Sequence, residues 1–336
     1  TIKPLHSLIA NVMDGVGEPS LIIEGSTSPH SFTLKPSHAK LLEEADLIFW
    51  VGEGIETFME RPLESIVKNA EVVEFMEVES IEKLKFREES IYGDHDDHDD
   101  HGDHDDHDDH DEDHDDHDDH DDHDDHDDHD NHDEDHDDHD DHDDHDEDHD
   151  GHDDHDDHDD HAGHEGHNHG EFDAHIWLDP MNAKEMVHEI AHELGHLDPT
   201  NKDKYEANAD ATILALDQLI EDVSKDINKD AKFVVFHDAY QYFEERFGVR
   251  AEGALTLNTD VLPGAKQIDE IQDVIKDRGV NCIFSEPQFN PKIITTIAKD
   301  TNIKTGVFDP LGANINSDKD LYFKLISNLG SELKGC

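Results

Sequence analysis

Histidine and carboxylate side chains carry whatever chemistry this chain can do, and they fall into two populations. From Asp94 to Gly170 the sequence is a run of Asp-Asp-His triplets that holds 25 of the 33 histidines and 44 of the 91 acidic residues, with no Lys, Arg or aromatic side chain. Imidazole and carboxylate both ligate divalent cations, and their repetition every third residue offers many overlapping, exchangeable sites rather than one rigid cage. His161, His164, His167 and His169 close the run as weak auxiliary ligands. The run does not choose its metal: imidazole favours zinc, copper or nickel, and the carboxylates would also take calcium weakly. A solvated acidic spacer is the competing reading. So few apolar groups cannot offset roughly 1 to 2 kcal/mol of backbone entropy per residue, so disorder is expected here.

The second population is sparse. His30 lies in the loop Gly25-Ser-Thr-Ser-Pro-His30, His175 follows the run, His237 closes the apolar stretch Phe233 to Phe236, and Asp309 follows Val307-Phe308. Several fall at or near the carboxyl ends of expected strands, where open parallel α/β sheets collect ligands. Taken singly, each reads as a solvated loop residue. Together they supply three imidazoles and one carboxylate, which is a four-coordinate zinc set if they converge. Trp177 would then shield His175 and Asp179 would orient it. His6 and His38 read as solvated or locally hydrogen-bonded.

A rival signal is His188-Glu189-Ile190-Ala191-His192, a literal H-E-x-x-H in which two histidines would bind zinc and Glu189 would act as general base of a metalloprotease. Helical phase argues otherwise. Met186, Val187, Ile190, Ala191 and Leu194 form the apolar stripe, leaving His188, Glu189, His192, Glu193 and His196 on the polar face. An accidental pattern on a wet helix, or a weak secondary zinc site there, are the other readings.

The elements that must position these groups alternate between strand and helix, which predicts an α/β fold with parallel sheets. Strands are expected at Ser20–Glu24, Asp46–Val51 and Glu71–Met76, with helices at Lys35–Glu44 and Glu53–Asn69. Beyond the run, helices are expected at Asn182–Leu197 and Asn201–Ile227, strands at Lys232–His237, Arg250–Leu257, Val280–Glu286 and Lys304–Phe308, and helices at Ala265–Arg278 and Lys292–Lys299. The long helix, with apolar Ala207, Ile213, Leu214, Leu216, Leu219 and Ile220, reads as a rigid connector. The division is an N-terminal lobe, 1–198, containing a disordered metal-binding loop, 93–170; a linker helix, 199–229; and a C-terminal lobe, 230–336.

Outside the run a net charge of about −22 remains, against −66 for the chain, so cations are favoured partners and nucleic acid and anionic membranes are not. No stretch approaches the roughly 18 to 20 apolar residues of a membrane span, and no direct membrane insertion is expected. The chain reads as lacking a signal peptide and as processed or trimmed at its start, with Thr1-Ile-Lys-Pro4 expected to be the end of a strand whose beginning is missing. Cys282 and Cys336 are either two free thiols or, in an exported protein, a bridge closing a long loop.

Five ordered motifs carry a resemblance. Ser28-Pro-His30-Ser-Phe-Thr-Leu-Lys-Pro-Ser, Ala45-Asp-Leu-Ile-Phe-Trp-Val-Gly52, His175-Ile-Trp-Leu-Asp-Pro180, Val235-Phe-His237-Asp-Ala-Tyr240 and Phe308-Asp-Pro-Leu-Gly312 resemble those of the ZnuA-type zinc-binding proteins, the substrate-binding components of bacterial zinc ABC importers. The resemblance covers nearly everything outside the run, and a charged, His-rich insertion before the second metal histidine is itself a family habit. It implies a periplasmic protein without enzymatic activity. It also implies two α/β lobes joined by a long helix, zinc held by His30, His175 and His237, and a disulfide near the C-terminus that Cys282 and Cys336 fit. Manganese-binding relatives tend to place a carboxylate at the position of His237. Some zinc-binding members use an acidic residue just before the first histidine; Pro29 stands there, leaving the fourth position to Asp309 or water. The expected partner is a membrane permease, with periplasmic zinc chaperones as a further possibility, and the expected state is a monomer. Metal storage or adhesion on the same fold is the alternative to transport.

Overall fold

The computed structural model describes residues 1–87, 171–257, 264–301 and 303–336. The acidic run, including His161, His164, His167 and His169, lies outside the described residues, as does its expected disorder. The described residues all belong to one compact unit, Thr1–Asp94 with Gly166–Cys336.

Two parallel sheets form the frame. Strands β1 (Leu47–Trp50) and β2 (Glu71–Glu74) pair from Leu47 opposite Glu71 to Trp50 opposite Glu74. The second sheet contains β3 (Phe233–His237), β4 (Gly253–Thr256), β5 (Cys282–Ser285) and β6 (Lys304–Val307) in the order β4-β3-β5-β6, all parallel. Every residue of β3 is buried, which is why it reads as a continuous apolar run rather than an alternating one.

The helices are α1 (Lys3–Val12), α2 (Pro36–Glu43), α3 (Glu60–Ser65), α4 (Pro180–Leu197), α5 (Lys202–Asp226), α6 (Gln241–Phe247), α7 (Ala265–Asp277), α8 (Lys292–Thr301) and α9 (Leu321–Lys334). Helix α4 begins sharply because Pro180 occupies its first turn and the Asp179 carboxylate accepts the Met181 N–H at 2.8 Å. Helix α5 runs 25 residues without Gly or Pro, about 37 Å at 1.5 Å per residue. It packs against α1, α4 and α9, so it is a core element as well as a connector. One main cluster, from Ile2 through Leu333, spans both sheets and these helices, and a smaller one fills the space between the second sheet and α7 and α8.

The differences from expectation have local causes. Residues Ser20–Glu24 form no strand: Ile22 and Ile23 are buried, but the segment lies between Pro19 and Gly25 and joins no ladder. The helix expected over Glu53–Asn69 shrinks to α3 after a 3₁₀ turn at Thr57–Met59, because Pro62 is tolerated only in a first turn. Chain start Thr1–Pro4 leads into α1 instead of ending a strand. Leu214, counted among the apolar residues of the long helix, is 69% exposed. No helix of the described residues is long and apolar enough to cross a membrane.

Candidate metal centre

His30, His175 and His237 converge. One ring nitrogen from each lies within 4.8 Å of the others, and His175 Nε2 faces His237 Nε2 at 3.3 Å. Two nitrogens bound at 2.0 to 2.1 Å in a zinc tetrahedron stand about 3.3 to 3.4 Å apart, so this pair already has the spacing of two ligands on one ion. His237 is the last residue of β3. His175 precedes the 3₁₀ turn Ile176–Leu178, and His30 sits within the turn Pro29–Ser31.

Each buried histidine is fixed by one carboxylate oxygen. Asp173 Oδ1 accepts the backbone N–H of His175 at 3.0 Å and pairs with its Nδ1 at 2.7 Å. Glu286 Oε1 accepts the N–H of His237 at 3.3 Å and pairs with its Nδ1 at 2.6 Å. When ionised, each carboxylate only accepts, so each Nδ1 then carries the proton and each Nε2 presents its lone pair inward. Two lone pairs facing each other at 3.3 Å repel unless a proton or a cation stands between them.

Apolar and charged side chains surround the histidines. The Trp177 ring lies tilted against the His175 ring with centroids 5.3 Å apart, and its indole N–H donates to the Pro310 carbonyl at 2.8 Å. Gly312, at a positive φ of 67°, turns the loop that carries Pro310, a conformation few other residues adopt without strain. Phe289, Pro310 and Leu311 help line a hollow of about 10 Å³ between the histidines. That is about one water-sized sphere, a fit for a single ion. Burial pushes the Asp173 carboxyl up to about 7, opposed by the His175 N–H and by His237 and Arg87. Burial pulls the His237 imidazole down, but Glu286, then Asp238 and Asp173, outweigh it and leave the group raised.

A band of contacts ties the two halves together beside this centre. Arg87 bonds Asp238 at 2.9 Å and the buried Glu244 at 2.6 Å. The Tyr242 hydroxyl donates to the Asp173 carbonyl at 2.6 Å and accepts the Leu84 N–H at 2.9 Å.

The two other expected site residues stand elsewhere. Asp179 does not orient His175; it caps α4 and takes a bidentate grip from Arg246 at 2.6 and 2.7 Å, and Asp173 performs the orienting role instead. Asp309 is not in the converging group among the described residues: its Oδ1 accepts from Gln288 and the Leu311 N–H, and its Oδ2 accepts the Ala313 N–H at 2.6 Å. Sequence reading missed Asp173 and Glu286. Asp173 was hidden by the 44 acidic residues before it, whereas Glu286 follows the end of β5 and could have been found by the strand-end rule.

The remaining histidines behave locally. His6 Nε2 pairs with the Pro19 carbonyl at 3.0 Å, and His38 Nδ1 accepts the Lys35 N–H at 3.2 Å. In the H-E-x-x-H stretch the grouped atoms belong to Glu189, His192 and Glu193, and His188 joins no such group of three among the described residues. With Glu189 inside the group and His188 outside it, the protease arrangement is not formed. Cys282 and Cys336 are bonded, joining the start of β5 to the residue beyond α9.

Comparison with known proteins gives the family. The family profile described as "Zinc-uptake complex component A periplasmic" matches residues 1–336. The high-affinity zinc uptake system protein ZnuA of Brucella abortus (strain 2308) is 45% identical, over 100% of this chain and 90% of the relative. The protein of the same name from Haemophilus influenzae is 35% identical, over 100% and 91%. Among solved structures, a zinc-bound ZnuA deletion mutant aligns with TM-score 0.67 at 19% identity, covering 99% of this chain and 95% of that one. The laminin-binding protein of Streptococcus agalactiae aligns at 0.64 and 22%, covering 98% and 96%. At these identities the two structures speak for the fold alone, but the sequence matches run the whole length, and the chain belongs to the family of the periplasmic zinc-uptake component ZnuA.

Proposed function

We propose that His30, His175 and His237 hold one Zn²⁺, which is this protein's cargo. The observation that carries the reading is the 3.3 Å approach of two Nε2 atoms whose Nδ1 atoms are both tied to carboxylates. Three imidazoles favour zinc over manganese or calcium, which seek oxygen. The fourth position falls to water, or to Asp309 if that side chain leaves its turn. Trp177 shields the site.

The protein is a solute-binding component and not an enzyme: it captures zinc and hands it to the permease and ATPase of an ABC importer, as members of its family do. The periplasm is the compartment where that hand-over takes place. Zinc chaperones as donors, a monomeric state, and a division into lobes 1–198 and 230–336 about the 199–229 helix complete the proposal. The run from 94 to 170 would supply weak ligands at high effective concentration beside the centre. Its loading could also slow uptake when zinc is plentiful.

Calorimetric zinc titration of the chain with 93–170 excised, beside the intact chain, tests the hierarchy. One tight site surviving excision and vanishing with His237→Ala supports the centre as receptor. Loss of tight binding on excision would transfer that role to the run.

A further inference from the structure

Far from using its histidines as a protease would, α4 repeats on its outer face the pairing found at the buried centre. His188, His192 and His196 are spaced four residues apart and so lie along one face of the helix. The His192 Nδ1 stands 2.7 Å from Glu193 Oε1, and its Nε2 faces the Nε2 of His196 at 3.1 Å, the rings edge-on with centroids 4.4 Å apart. At the buried centre the corresponding distances are 2.7 Å for the carboxylate on His175 and 3.3 Å between the facing Nε2 atoms. The same argument applies: the carboxylate holds the proton on Nδ1, so the lone pair of Nε2 points at a second imidazole nitrogen.

A second carboxylate stands close by. Atoms of Glu189 and Glu193 and a ring nitrogen of His192 lie within 4.8 Å of one another. His188, Glu189 and His192 also line one wall of a groove of about 420 Å³, with Glu206 and Asp210 lining it from α5. Lys202 is the one Lys or Arg among the residues lining that groove, against three carboxylates, a balance that draws cations.

From this pairing we infer that α4 carries a second, open site for a borderline divalent cation of the zinc type, with His192 and His196 as the two nitrogen ligands. Glu193 orients His192, and water completes the shell. Both imidazoles come from a single helix, so the ion clips the last turns of α4 together. The site is solvent-facing, with the His192 side chain 60% exposed, so it binds more weakly than the buried centre and exchanges freely.

Hydrogen–deuterium exchange of the intact chain, with zinc added stepwise past one equivalent, tests the inference. Peptides spanning 188–198 report on this site, and peptides containing His175 and His237 report on the buried centre in the same samples. Expected is a second, later phase in which exchange over 188–198 slows about tenfold once free zinc is tenfold above the dissociation constant. His192→Gln with His196→Gln should abolish that phase and leave the earlier one at the buried centre intact. Both substitutions are on an exposed surface and spare the core. Unchanged exchange over 188–198 at high zinc, or slowing that persists in the double variant, would overturn the inference. A lost early phase would count against the buried centre alone.

Discussion

Glu286, just beyond β5, holds both the backbone N–H and the Nδ1 of His237 through a single carboxylate oxygen, at 3.3 and 2.6 Å. The two residues are 49 positions apart in sequence and are brought together because β3 and β5 are neighbours in the sheet. Asp173 grips His175 in the same two-point way. Partners of this kind fix the tautomer and raise the basicity of a ligating imidazole, and losing one costs about 10- to 100-fold in metal affinity. Glu286→Gln and Asp173→Asn should therefore each weaken zinc binding by about that factor while keeping one tight site per chain. Competition titration against a zinc chelator measures it, and affinities within twofold of the parent would show that these carboxylates do not tune the ligands.

The position of Glu286 also sets the pH response. Zinc displaces the proton from each imidazole it binds. Although burial alone would lower His237, the charges of Glu286, Asp238 and Asp173 leave it above its ordinary value of 6.5. Protons therefore compete from a higher pH than at a free histidine, and affinity is lost as pH falls through the raised value. Titrations between pH 8 and pH 5 should show affinity already declining above pH 6.5 and falling steeply below it. A flat profile to pH 5 would remove His237 from the ligand set.

The three histidines that converge were legible in the sequence because each of His30, His175 and His237 sits in a short motif with distinctive neighbours, and β3 announces itself as an unbroken apolar run. Helices α4 and α5 were legible through their length and a proline or capping aspartate at their boundaries. What was not legible depends on folding partners remote in sequence. Nothing near Glu286 says that it meets His237, and Asp179 stands beside the His175 motif yet turns to Arg246. Helix α9 was overlooked although Leu321, Leu325, Leu329 and Leu333 recur every fourth residue and are all buried. The expected strand at Ser20–Glu24 failed because an apolar stretch can be buried without a ladder to join.

Asp309 tests how far the sequence set of ligands extends. Its oxygens are engaged by Gln288 and by the N–H groups of Leu311 and Ala313, which hold the turn carrying Pro310. Asp309→Asn should loosen that turn but leave zinc affinity within about threefold, well short of the 10- to 100-fold expected for a residue that supports the ligands. A fall beyond tenfold would show that Asp309 leaves its turn to bind the ion.

The bond between Cys282 and Cys336 closes a separation of 54 residues, which in the chain-entropy model stabilises the fold by about 4 kcal/mol. It anchors the residue beyond α9 to β5, in a region whose core includes Phe284, Leu329 and Leu333. Cys282→Ala with Cys336→Ser should lower the midpoint of chemical denaturation by an amount worth about 2 to 5 kcal/mol. Zinc stoichiometry should be unchanged, because neither residue touches the histidines. Equal midpoints for the two proteins would mean that the crosslink adds no stability.

Glu74, at the end of β2, should limit stability in alkaline conditions. Burial raises its carboxyl to about 7, with the charges of Glu77, Glu53 and Glu56 adding to the effect and the backbone N–H of Glu53 opposing it. The folded state therefore binds this proton more tightly than the unfolded chain. The charge costs nothing below the unfolded value near 4.5, costs progressively more as pH rises from there to 7, and exacts its full penalty above 7. Because the group is only half-buried, solvent screening reduces that penalty to about 1 kcal/mol. Glu74→Gln should accordingly raise Tm by about 2 to 4 °C at pH 8 and leave it unchanged near pH 4.5. Melting curves at the two pH values distinguish this from a general packing effect: a gain of equal size at both would show that the substitution acts through packing and not through the charge.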